Sequence, residues 1–110
     1  MKYKIEASSS NVFEDLGFAD SDELLVKAKL LSQICDIIKQ KRLSQAQIAK
    51  ILGVDQPKIS ALLKGRLSGF STDRLIRFLN ALHCDVEIHI HRPRSIRRKI
   101  QRGRTVVIVE

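Results

Sequence analysis

Residues 44–65, SQAQIAKILGVDQPKISALLKG, set two short amphipathic patterns on either side of one glycine. Few backbones satisfy that arrangement. Ser44 is placed to cap a helix while Gln47 reaches back, a capping box of the form S-x-x-Q. Leu43 and Ile48 flank the cap as a hydrophobic staple. Ile48, Ala49 and Leu52 are expected to face inward, with Ala49 small where a second helix must cross closely. Gly53 supplies the positive φ that ends one helix and redirects the chain. Val54 then plugs the turn. Asp55 is expected to cap the next helix, where Pro57 is tolerated because first-turn amides lack intrahelical partners. Ile59 and Leu62 return to the core.

These devices predict two helices joined at a steep angle by a short turn, a helix-turn-helix. At about 100° per residue, the face opposite Ile59 presents Pro57, Ala61 and Lys64, flanked by Lys58 and Ser60, with Gln56 at the exposed start. That face is narrow, polar and small. It suits a major groove, where glutamine matches adenine, lysine matches guanine and an alanine methyl meets the thymine methyl. The helix starts near Gln45 and Gln56 offer backbone amides to phosphates. An ordinary helical hairpin with a solvated outer face is the plainer alternative. The combination of Ala49, Gly53 and Ile59 with Gln45 and Gln56 is much narrower than that hairpin requires.

The rest of the 110 residues suits one small domain. From Asp20, where Asp20 or Ser21 can cap and Glu23 can complete a capping box with Asp20, the residues Leu24, Ala28, Leu31, Ile34, Cys35 and Ile38 recur at helical spacing. Lys39, Lys41 and Arg42 close that helix in keeping with its dipole. Before it, VFEDLGF could form a short helix ended by Gly17. After the loop RLSGF, Ser71 is the expected N-cap of a further helix, with Phe70 and Leu75 as staple and Leu75, Ile76, Leu79 and Leu82 as its apolar side. CDVEIHIHR, residues 84–92, alternates. Val86, Ile88 and Ile90 face one way and Glu87, His89 and His91 the other, as in a strand with one buried face. TVVIV near the end suggests a second strand.

Charge is unevenly spread. The chain carries a net +8, yet residues 1–40 hold a net −2 and residues 41–110 a net +10. Such a split points to a polyanionic partner for the second part. Residues 92–104 carry seven Arg or Lys in thirteen positions, which read equally well as a flexible solvated tail or as a phosphate-contacting arm. Six acids and no base lie between Glu6 and Glu23. The opening MKYKIEASSS lacks an apolar core and the longest aliphatic run is VVIV, so neither a signal peptide nor a membrane span is expected and the chain reads as cytoplasmic. A disulfide between Cys35 and Cys84 is not expected there. His83, Cys84, His89 and His91 lack the paired spacing of a metal site, and no cofactor is expected. No nucleophile elbow, P-loop or ordered Ser–His–Asp set appears, so an enzyme is not expected.

LSQAQIAKILGVDQPKISALLKG resembles the lambda-repressor-like, XRE-type helix-turn-helix, over about residues 24–82. The resemblance implies a mainly α fold: a four-to-five-helix lambda-repressor-like bundle containing the helix-turn-helix, followed by one C-terminal β-strand or two. In that family the residue matching Gln45 holds phosphate and braces the one matching Gln56. Residues matching Gln56, Pro57 and Ala61 face bases, and the one matching Lys64 meets the backbone. Pro57 departs from the pattern, since it removes side-chain hydrogen bonding at a base-facing position. The flanking SSSNVFEDLGF and ALHCDVEIHIHRPR are similar to the small HigA-type antitoxin regulators.

The expected organisation is an acidic segment at 1–19, a DNA-binding domain at 20–83, a strand at 84–92 acting as dimer element, and a basic tail at 93–110. Base contact is expected from Gln56, Pro57, Lys58, Ser60 and Ala61, and phosphate contact from Gln45, Lys64 and Arg66. Val86, Ile88 and Ile90 are expected at a homodimer interface, and a pseudo-palindromic operator in double-stranded DNA is the expected ligand. Phe13, Glu14, Asp15, Leu16 and Phe18 are candidates for contact with a cognate toxin, whose basic RNA-holding surface an acidic segment could cover. The expected function is a repressor that is also the antitoxin of a toxin–antitoxin pair. A stand-alone regulator without a toxin is the alternative.

Overall fold

The computed structural model describes residues 20–93 and 102–110. Within them lie α1 (Asp20–Lys41), α2 (Gln45–Leu52), α3 (Gln56–Leu63), a 3₁₀ turn (Leu67–Gly69) and α4 (Thr72–Ala81). The chain before α1, with VFEDLGF and the cap expected at Asp20, falls outside the described side chains, as do residues 94–101. Helix α1 packs mainly on α4, while α2 packs on α3. The fully buried side chains are Ile34, Ile48, Ile59, Leu62 and Leu75, so every helix sends at least one into a single core. Each such side chain contributes roughly 1.5–3 kcal/mol relative to an exposed one.

Helix α1 meets that core through Leu31 and Ile34 as expected, with Cys35 and Ile38 half-buried against it, but the stripe reaches Val26 and Leu30 rather than Leu24 and Ala28. Val26, Leu30, Leu31 and Ile34 are buried, whereas Leu24 is 56% exposed and Ala28 is exposed. The stripe is centred on Ile34. At about 100° per residue, Leu24, Ala28 and Cys35 sit on one margin, and Val26, Leu30 and Ile37 toward the other. Cys35 is half-buried against the core and its thiol is free, as is that of Cys84. Burial pushes the Cys35 thiol above its ordinary range; Asp36 adds to this and Lys39 opposes it.

All four helices end by one device. Each has a residue at positive φ just past its end: Arg42 (54°), Gly53 (68°), Gly65 (90°) and His83 (73°). The next N–H then reaches back to a carbonyl five residues earlier. Leu43 donates to Ile38 at 3.1 Å, Val54 to Ala49 at 3.0 Å, Arg66 to Ala61 at 3.1 Å and Cys84 to Leu79 at 2.9 Å. These are Schellman closures, which satisfy carbonyls that a helix end would otherwise leave unpaired.

The start of α4 follows expectation: the Ser71 hydroxyl accepts from the Arg74 N–H at 3.1 Å, and Phe70 and Leu75 are both buried. Phe78, absent from the expected apolar side, is buried too, while Ile76 is only half-buried. Phe70 and Phe78 meet edge to face with centroids 5.9 Å apart, and the Arg74 guanidinium lies over both rings at 5.1 and 5.6 Å. Aromatic and cation–π geometry thus seals the end of the bundle beside the 3₁₀ turn.

The strand expected at residues 84–92 is not formed, and neither is the one expected at TVVIV; no strand occurs among the described residues. The reason is a missing ladder partner. No backbone hydrogen bond among the described residues joins 85–93 to 102–110. Alternation survives only near the core, where Val86 is half-buried between exposed Asp85 and Glu87.

Candidate nucleic-acid interface

The capping box at the start of α2 is complete. Ser44 Oγ accepts from the Gln47 N–H at 3.1 Å, and the Ser44 N–H donates to Gln47 Oε1 at 2.8 Å. Gln47 is thereby committed to the cap. Gln45, beside it, is exposed and its side chain has no hydrogen-bond partner among the described residues. Ile48 is buried, Ala49 and Leu52 are half-buried, and Val54 closes the turn beneath Gly53.

Asp55 occupies the N-cap of α3, but its side chain makes no capping bond, contrary to expectation. Pro57 removes one of its two possible donors, and the other is turned elsewhere. A capping side chain bonds the second or third helical N–H, and the second helical residue here is proline, which has none. The third N–H, from Lys58, already donates to the Asp55 carbonyl at 3.0 Å. The carboxylate of Asp55 is left exposed at the head of α3.

Ile59 and Leu62 are buried and fix the rotation of α3. Its outer side then carries Gln56, Pro57, Lys58 and Lys64, all exposed. Ser60 and Ala61 are half-buried, so they form a low shoulder rather than a projecting edge. Gly65 turns the chain and leaves Arg66 exposed. Between Asp36 and Asp73 the only acid is Asp55, against the seven cations Lys39, Lys41, Arg42, Lys50, Lys58, Lys64 and Arg66. The outer-face argument did not select Arg42 and Lys50, both exposed at the ends of α1 and α2. Charge was their only signal.

The other expected sites fare unevenly. Val86 packs on the core, whereas Ile88 and Ile90 are 71% and 87% exposed. Phe13, Glu14, Asp15, Leu16 and Phe18 lie outside the described residues. Glu87 Oε1 accepts from or pairs with His89 Nε2 at 2.9 Å, and among the described residues no group of three His, Cys, Asp or Glu could hold a metal. No helix there is long and apolar enough to cross a membrane.

Two short helices with a glycine turn, a buried inner face and an acid-poor, cationic outer face define a helix-turn-helix DNA-binding domain. A family model described as a helix-turn-helix domain matches residues 12–91. A solved structure assigned to the XRE family of transcriptional regulators is 40% identical, with a TM-score of 0.74, over 84% of this chain and 100% of that one. No curated protein matches. The chain belongs to the XRE-type helix-turn-helix family and is a DNA-binding transcriptional regulator.

Proposed function

We propose that the regulator acts as a homodimeric repressor whose α3 enters the major groove of a pseudo-palindromic operator. The carrying observation is the outer side of α3, where Gln56, Pro57, Lys58 and Lys64 stand exposed while Ile59 and Leu62 hold the helix from beneath. Gln56 and Lys58 read base edges over the shoulder of Ser60 and Ala61. Pro57 contributes van der Waals contact and stiffness. Gln45, Lys64 and Arg66 take phosphates and fix the register. One such helix spans only a few base pairs, so two copies at half-sites about 34 Å apart supply the selectivity. The exposed Ile88 and Ile90, beyond half-buried Val86, support self-association through 84–92.

The repressor is further read as the antitoxin of a toxin–antitoxin pair, autoregulating their shared operon. Support comes from the similarity of its flanks to HigA-type regulators and from the acids between Glu6 and Glu23, which a DNA reader alone has no need for. Phe13, Glu14, Asp15, Leu16 and Phe18 belong to that segment. Leu24 and Leu25, 56% and 68% exposed at the start of α1, extend it with apolar surface. A stand-alone regulator is the alternative.

The test uses DNA from upstream of the protein's own gene, titrated with wild type and Gln56→Ala, beside a truncation lacking residues 1–19. The truncation should keep operator binding and lose neutralisation of the adjacent gene product. Full neutralisation by the truncated protein would remove the antitoxin reading. Unchanged affinity and preference in Gln56→Ala would remove the α3 assignment.

A further inference from the structure

We propose that the Asp55 carboxylate reads a cytosine of the operator, accepting a hydrogen bond from its N4 amino group in the major groove. The inference rests on the α3 reading above and adds a base-contacting residue to it.

The carboxylate is uncommitted at a position where a helix ordinarily spends a capping side chain. At the head of α2 the Ser44 hydroxyl accepts from the Gln47 N–H at 3.1 Å. At the head of α3, Pro57 has no N–H to give, and the Lys58 N–H donates to the Asp55 carbonyl at 3.0 Å. The Asp55 side chain makes no hydrogen bond or ion pair among the described residues, and Lys58, three residues on, does not pair with it. Asp55 is exposed and directly precedes Gln56, at the end of α3 whose residues meet base edges when such a helix enters the groove.

Its sign makes that position selective. Asp55 is the only acid among seven cations between Asp36 and Asp73. Against DNA, an unpartnered carboxylate is repelled by phosphates and by every acceptor on a base edge. Only a donor stabilises it. The major groove offers two, the N4 amino group of cytosine and the N6 amino group of adenine. Adenine sets its N7 acceptor beside that amino group, which suits an amide such as that of Gln56. An ionised carboxylate accepts and does not donate, so its second oxygen is repelled by N7. Cytosine presents its donor with no acceptor beside it on the same base. Guanine and thymine place only acceptors there, O6 with N7 and O4, and are rejected. Pro57, which brings no side-chain hydrogen bond to the groove, thus serves readout by leaving the acceptor of its neighbour free.

Full-length wild type, Asp55→Ala, Asp55→Asn and Gln56→Ala each select sites from a randomised duplex library and are then titrated at one salt concentration. Thermal melting by circular dichroism checks that each variant is folded. Wild type should prefer cytosine by about tenfold at one position near the one that Gln56 sets. Asp55→Ala should lose that preference alone and bind random duplex at least as tightly as wild type, since a repelling charge is gone. Asp55→Asn, which donates as well as accepts, should admit adenine there. N4-methylcytosine at that position keeps its base pair but puts a methyl in place of the groove-facing N–H. It should weaken wild type by about tenfold and leave Asp55→Ala unchanged. A preference profile that Asp55→Ala does not alter overturns the inference, as does an equal loss on all sequences, the mark of a purely structural cap. Wild type indifferent to N4-methylcytosine overturns it as well. If Gln56→Ala changes the profile and Asp55→Ala does not, this contact falls and the α3 reading stands. A wild type without sequence preference, or one whose profile neither substitution alters, removes the α3 reading and this inference with it.

Discussion

The turn between α2 and α3 and the extended residues after α4 solve the same problem in opposite ways. At the turn, Ser44, Gln47, Gly53 and Val54 supply every cap and plug from within ten residues or so of sequence, and Ile48, Ile59 and Leu62 are at most 1% exposed. Residues 84–93 and 102–110 have β patterning but no ladder, and Ile90 stays 87% exposed. Helical hydrogen bonds close inside one segment, whereas strand hydrogen bonds must be met by another. The helical part can thus present a finished surface, while the described extended residues leave backbone and apolar side chains open to solvent.

The largest effect expected to break this contrast comes from the buried side. Ile59→Ala, at 0% exposure, opens a cavity under α3 and should cost about 2–5 kcal/mol. Ile90→Ala should change the stability of dilute, monomeric protein by less than about 0.5 kcal/mol while weakening dimerisation. Denaturant unfolding beside light scattering checks both. Equal losses of stability would show that the extended part is as self-contained as the turn.

Next come changes on the finished surface. Gln56→Ala should cost about 1–3 kcal/mol on the preferred operator and relax its sequence preference. Lys64→Ala should weaken all sequences alike and flatten the salt dependence by about one unit of slope. Neither should alter the melting midpoint much, since both side chains are exposed. Titration over a salt series separates the two roles.

The two caps of the motif differ more than their sequences suggest. Ser44→Ala removes a bond that exists and should cost about 1 kcal/mol. Asp55→Ala removes no capping bond and should cost only a few tenths of a kcal/mol, from the loss of its weak favourable charge at the helix start. Comparable losses in chemical denaturation would mean that Asp55 caps α3 after all.

That asymmetry also marks what the sequence could convey. The capping box, the Gly53 turn and the inward Ile48, Ile59 and Leu62 were legible because each depends on neighbours within a turn or two. Asp55 misled because Pro57 removes one of the two N–H groups it could cap and the other, from Lys58, donates to the Asp55 carbonyl instead. The margin of the α1 stripe misled for a different reason. Leu24 and Val26 are equally apolar, and only the position of α4 decides which side is buried. Phe78 lies on the helical period of Leu75 and Leu82 and four residues after Arg74, so its burial was legible, though absent from the expected apolar side; only its meeting with Phe70 depends on tertiary packing. The outer side of α3 was legible down to Gln56 and Lys64, but the half-burial of Ser60 and Ala61 was not, since it depends on how closely neighbouring elements approach.

The smallest expected effect tests the one device that all four helices share. Gly53 and Gly65 meet positive φ without penalty; Arg42 and His83 do not, because a Cβ in the left-handed region crowds the following carbonyl. An added Cβ at Gly53 would have nothing within 4 Å, so Gly53→Ala should lose about 1 kcal/mol from backbone conformation alone. His83→Gly runs the comparison backwards. It relieves the same strain but frees the unfolded chain, and the two nearly offset, for a net gain of a few tenths of a kcal/mol. The fixed feature is the Cys84 N–H bond to Leu79, which glycine at 83 preserves. A rise of one or two degrees in the melting midpoint is the expected result. A clear fall would mean that the His83 side chain itself holds the end of α4, and that the junction with the extended residues is built as tightly as the turn.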